Sequence, residues 1–106
     1  MHDESVMPEG LEEIIKSLCA DYTRRALVIE CRSAPFNVIM EYRFLNYRMI
    51  NAAIEVAGPR DARRFIKDIG ESIGYSESEL YLLSESVYKQ RKAEVKNNIA
   101  RRLSLL

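Results

Sequence analysis

From Glu9 onward, apolar residues recur at intervals of mostly three and four: Leu11, Ile14, Ile15, Leu18, Tyr22, Ala26 and Ile29. That spacing marks an amphipathic helix. Glu12 and Glu13 lie in its first turn, where acids suit the helix dipole. Pro35 ends the run, because the residue before a proline is pushed out of helical geometry. The pattern predicts a first helix over 9–31, with a break near Thr23.

A second helix is expected from Pro35-Phe36 to Ala57. Gly58 suits a left-handed cap, and Pro59 blocks continuation. Its polar face is Asn37, Glu41, Arg48, Asn51 and Glu55. Nearly everything else in it is apolar, so it is expected to be the most buried helix. Arg43 and Asn46 interrupt the apolar side among Ile39, Ile50 and Ala53. Three residues apart, they neighbour each other on a helix. They are candidate buried polar groups, with Arg43 paired to a carboxylate of another helix and its stem packed.

A third, short helix follows from Pro59 to Gly74. Ala62, Phe65, Ile66, Ile69 and Ile73 form its apolar stripe, and Arg60, Arg63, Arg64 and Lys67 its basic side. Ser76-x-x-Glu79 has the form of a capping box, and neither Gly nor Pro occurs after Gly74. A fourth helix is therefore expected over 77–103. The fold class is all-α: a compact four-helix bundle with a short third helix and a long fourth helix. Residues 1–8 read as a flexible tail and 9–106 as a single helical domain.

The stretch 49–86 adds a second layer. Ala52-Ala53-Ile54-Glu55 is followed, after a turn, by Ile69, Gly74, Ser76, Leu80 and Tyr81. This order resembles the helix-turn-helix segment of the tetracycline-repressor family. A glycine makes the turn, a serine caps the second helix and an apolar pair locks two helices together. The resemblance implies DNA contact through residues 60–88, with Arg60, Arg63, Arg64, Ser76, Ser78 and Tyr81 as the contacting residues.

Charge pulls the other way. The net charge is zero, but it comes in blocks. Residues 1–22 carry six acids and one base, and residues 68–85 carry five acids and no base, each net −5. Residues 23–67 (nine bases, four acids) and 86–106 (six bases, one acid) are each net +5. Phosphates supply most of the affinity for DNA, and they repel an acidic helix such as 77–85. Alternating blocks suit helices that neutralise one another, or a protein partner of opposite sign.

Catalytic and metal chemistry find little footing. One histidine, His2, lies in the tail, and no GxSxG, P-loop or HExxH occurs. Cys19 and Cys31, twelve residues apart on one expected helix, would be about 18 Å apart, too far for a disulfide. No cofactor, metal or catalytic residue is expected. No apolar run is long enough to span a membrane, and an acidic start without an apolar segment points to the cytoplasm.

The expected function is that of a small non-catalytic binding or regulatory module whose partner is a protein or a second copy of itself, as in a homodimer. Its candidate surfaces are the basic end of the fourth helix (Lys89, Arg91, Lys92, Lys96, Arg101, Arg102) and the acidic turn (Glu71, Glu77, Glu79). DNA binding through 60–88 is the alternative.

Overall fold

The computed structural model describes residues 7–80 and 82–106. Most of the expected tail, including His2, lies outside the described residues, as does Tyr81. Met7, just before the first helix, is half-buried against the core. The helices are α1 (Glu9–Ala20), α2 (Tyr22–Cys31), α3 (Phe36–Gly70) and α4 (Glu85–Arg102), with a single 3-10 turn at Tyr75–Glu77. No strand occurs among the described residues. The fold is all-helical, as the periodicity predicts.

The four-helix arrangement is corrected. α1 and α2 form one bent rod, because only Asp21 separates them and it keeps helical angles (φ −93°, ψ −2°). The bend falls at Asp21 rather than near Thr23. α3 is a second bent rod, in which the expected second and third helices run on through Gly58. Gly58 is non-helical (φ 81°, ψ 163°), and Pro59 opens the second arm, a position where its missing N–H costs little. α4 is the third rod. It begins at Glu85 rather than at 77, so it has 18 residues and is not the long helix expected.

The displaced start of α4 has a physical reason. Ser78, which the capping-box reading places inside a helix, instead donates to Asp68 Oδ2 (2.5 Å) and accepts from Leu80 N (3.0 Å). Leu80 is buried in the core. These interactions hold 78–80 in a non-helical path, and Ser84 takes over as the cap, accepting from Val87 N (3.3 Å).

Helix ends also depart from the glycine reading. α3 ends at Gly70, and Ser72 takes the left-handed conformation (φ 56°). Ile73 N donates to Asp68 O (2.9 Å) and Ser72 N to Ile69 O (3.4 Å), the paired bonds of a Schellman cap. Arg32 (φ 50°) after α2 and Ser104 (φ 59°) after α4 repeat the motif. Gly74 is extended and takes no part. Gly70 has a different use. A Cβ there would lie 2.5 Å from the backbone nitrogen of Ala20, so glycine lets α3 cross the end of α1 at backbone contact.

α3 touches every other helix. The core lies where its inner side meets α1 and α4: Ile15, Met49, Ala52, Phe65, Ile66, Val95 and Ile99 are fully buried or nearly so. Burial of these side chains supplies the main driving force for the fold. No helix among the described residues is long and apolar enough to cross a membrane.

Candidate interaction surfaces

Two of the buried charged residues, Arg25 and Asp68, hold hydrogen-bonded nodes, the first at the Asp21 bend and the second at the end of α3. Arg25 is only 3% exposed. Its Nε donates to Asn46 Oδ1 (2.7 Å) and its Nη2 to Leu18 O (2.7 Å), with Asp21 Oδ2 at 3.4 Å from Nη1. Asn46 in turn donates to Tyr22 O (3.1 Å). The bend at Asp21 thus turns helix carbonyls toward α3, where a guanidinium and an amide satisfy them. Burial lowers the pKa of Arg25, and the Asp21 carboxylate opposes that shift. Asp21 itself is held below its usual range, first by its bonds from Arg24.

Asp68 is the second, also 3% exposed. Its Oδ2 accepts from Ser78 Oγ (2.5 Å) and from Tyr88 Oη (2.7 Å). Tyr88 also donates to Ile73 O (3.2 Å), and Lys92 Nζ donates to the same carbonyl (2.6 Å). The Tyr88 ring stacks on Phe65 (5.5 Å between centroids), with Tyr75 tilted against it. Burial raises the Tyr88 phenol above its ordinary pKa, and the bond to Asp68 adds to that. Lys92 is pushed down, mainly by burial. Cys19 is buried and its thiol is raised to about 12 by that burial, so it is an unreactive packing residue, while Cys31 is exposed.

Of the expected buried pair, Asn46 is buried and Arg43 is not. Arg25 occupies the role assigned to Arg43. A sequence signal existed: Arg25 stands three after Tyr22 and four before Ile29, on the apolar stripe. Asp68, three after Phe65, carries the same signal.

The charged surfaces are matched within the chain only in part. Lys96 pairs with Glu12 (2.8 Å) and Arg102 with Glu55, both across helices. Each holds its acid below the usual range, although Asn98 is the larger cause at Glu55. Lys89 pairs with Glu85 (3.7 Å). Glu79 lies 3.5 Å from Arg64 and 3.9 Å from Lys67. Arg91, Arg101, Glu71 and Glu77 make no ion pair among the described residues. Ion pairs therefore join opposite-sign blocks inside one molecule at Asp21–Arg24, Arg64–Glu79, Glu85–Lys89 and Glu12–Lys96, whereas Arg102–Glu55 joins the two basic blocks.

The helix-turn-helix residues that are described are divided between the second arm of α3 and the loop after it. Among the described residues, 71–80 and 82–84 lie outside the α-helices, with a 3-10 turn at Tyr75–Glu77, so the helix expected from 77 is not formed there. Ser78 is buried and committed to Asp68, while Ser76 is exposed. Arg60, Arg63 and Arg64 are exposed along the second arm of α3.

A surface that the sequence reading missed is the outer side of the first arm of α3. Phe36 is 78% exposed, Phe44 62% and Tyr47 69%, and half-buried Met40 lies among them. At 100° per residue these four fall within about 80° of helix surface. The first arm of α3, expected to be the most buried helix, is thus covered on one side only. Its neighbours cover only the side of Ile39, Asn46, Met49 and Ala53. Arg43 borders the stripe on one flank, and Glu41 and Arg48 lie on the other, all exposed and without ion pairs among the described residues.

Comparison with family models, with curated proteins and with solved structures finds no match for this chain. Its function must be read from its own surfaces.

Proposed function

We propose that this chain is a small helical binding module, without catalysis of its own, whose partner is a protein, and that the first such partner is a second copy of itself. The observation that carries this reading is the stripe of exposed Phe36, Phe44 and Tyr47 with half-buried Met40 among them. Four large apolar side chains on one face of one helix are an expensive surface to leave in water, and aromatic clusters of this kind anchor interfaces.

Charge favours self-pairing over an arbitrary protein. Glu41 and Arg48 are two helical turns apart on the same flank. An antiparallel pair of α3 helices centred between them sets Glu41 against Arg48 of the second copy, and the reverse. Phe44 then meets its counterpart near the two-fold axis. Such an interface is isologous, as in most homodimers. Arg43 opposes it, because it nears its own counterpart across the axis, and its long stem allows the two heads to diverge into solvent.

Sedimentation equilibrium over a wide concentration range tests the proposal. The expected result is a monomer–dimer equilibrium that weakens about 30-fold or more in Phe44→Asp, the loss typical of one anchor residue. Glu41→Arg is expected to weaken it, and Glu41→Arg with Arg48→Glu to restore it. A monomer at every concentration, or dimerisation indifferent to Phe44→Asp, overturns the reading.

A further inference from the structure

The second arm of α3 faces the α1–α2 bend across a cleft of about 310 Å³. Arg60, Arg63, Arg64 and Lys67 line one wall. Their spacing of three, one and three places them on one helix face, a row about 10 Å long at 1.5 Å per residue. Tyr22 and Thr23 form the opposite wall. We infer that this cleft binds a small anion carrying two linked phosphoryl groups, a diphosphate.

The cations are held loosely by the chain itself. The Arg63 guanidinium lies over the Tyr22 ring, 5.4 Å from its centre, and donates no hydrogen bond among the described residues. Arg63 lines the cleft with its guanidinium engaged by the ring rather than by a carboxylate, and a phosphoryl oxygen pair is an acceptor that matches its forked N–H groups. Arg64 and Lys67 share one carboxylate, Glu79, at 3.5 and 3.9 Å. These distances exceed a good charge-assisted hydrogen bond, and all three side chains are about half exposed or more. Arg60 is near Asp61 (3.4 Å), and Glu71 also borders the cleft. Four cations thus face three carboxylates, none of which bonds Arg63.

The acids set the class of ligand. The Arg63–Lys67 stretch of the row is about 6 Å long, more than the oxygens of a single phosphate span. Two linked phosphoryl groups span from Arg63 to Lys67 and displace Glu79, replacing one shared charge with several. A nucleic-acid duplex fits less well, because the Tyr22–Thr23 wall closes one side and Glu71 and Glu79 border the approach. This site is separate from the aromatic stripe, so either reading can fail without the other.

The test is titration with inorganic pyrophosphate, followed by calorimetry and by tyrosine fluorescence, since the chain has no tryptophan. Saturable one-to-one binding is expected. Arg63→Gln should weaken it about 10-fold, and Glu79→Gln should tighten it about 3-fold by removing the competing carboxylate. These side chains are exposed, and unchanged thermal unfolding of each variant confirms that the fold is kept. ADP in a parallel titration separates the sources. Tighter binding of ADP identifies a nucleotide, equal binding a free diphosphate, and both support the site. Equal response to sulfate at matched ionic strength, or saturation by duplex DNA alone, overturns the inference. So does pyrophosphate binding unchanged in Arg63→Gln.

Discussion

Arg25 and Asp68 are opposite solutions to one problem. Each is a charge 3% exposed, and each lies where the chain leaves a straight helix. Arg25 is a cation satisfied by acceptors built into helices: Leu18 O, Asn46 Oδ1 and, more distantly, Asp21. Asp68 is an anion satisfied by hydroxyls, one from the loop (Ser78) and one from α4 (Tyr88). The first node ties rigid pieces to each other. The second ties a loop to rigid pieces. A buried charge of the first kind shapes the whole fold, whereas one of the second kind sets how firmly residues 71–84 stay down.

The sharpest way to break this comparison is to remove the cation. Arg25→Met keeps much of the packed stem and deletes the donors. It orphans Leu18 O and Asn46 Oδ1 in a dry site, so a global loss of about 3 kcal/mol is expected. Urea unfolding should show a lower midpoint with hydrogen exchange raised everywhere. Exchange raised only around residues 18–25 would mean that the node is local, and the contrast would fail.

Ser78→Ala is the matching change in the second node. Asp68 Oδ2 keeps Tyr88 but loses one donor, and Leu80 N loses its acceptor. A cost of about 1–2 kcal/mol is expected. It should appear mainly as faster exchange of amides in 75–84, with α3 and α1 nearly unchanged. Uniform acceleration across the chain would place Asp68 beside Arg25 as a global node.

The same contrast explains what was legible in the sequence. Helix-forming segments were plain from periodicity, because α1, α3 and α4 each bury a stripe at helical spacing. The exact place of the bend, at Asp21 rather than Thr23, and the non-helical path of 78–80 were not. Both depend on tertiary hydrogen bonds between residues ten or more apart, such as Ser78 with Asp68 and Asn46 with Tyr22. Local propensity favoured Ser76 as a cap, and a buried bond to Asp68 outweighed it. Charge blocks were legible as blocks, but their pairing needed the fold: Glu12 meets Lys96 only when α4 lies beside α1. The aromatic stripe was hidden for another reason. An apolar residue in an apolar helix gives no sign of whether a neighbour covers it, so Phe44 and Met49 look alike until packing separates them.

The smallest effect probes the loop from its other end. Ser72 holds a left-handed backbone (φ 56°) to close the Schellman cap just before the loop begins. An L-residue is strained there, and glycine is not. Ser72→Gly relieves that strain but also loosens the unfolded chain, which offsets part of the gain. A net stabilisation of about 0.5 kcal/mol is therefore expected, read as a higher urea midpoint at unchanged slope. Arg32→Gly, at the equivalent position after α2, should give a similar gain, since the backbone requirement is the same. The two should differ in exchange. If Asp68 governs the loop, Ser72→Gly slows opening of 71–84, because it steadies the cap whose Ile73 carbonyl also accepts from Tyr88 and Lys92. Arg32→Gly should leave that loop untouched. A loss of stability in Ser72→Gly would show that the serine side chain, rather than the left-handed backbone, governs this corner.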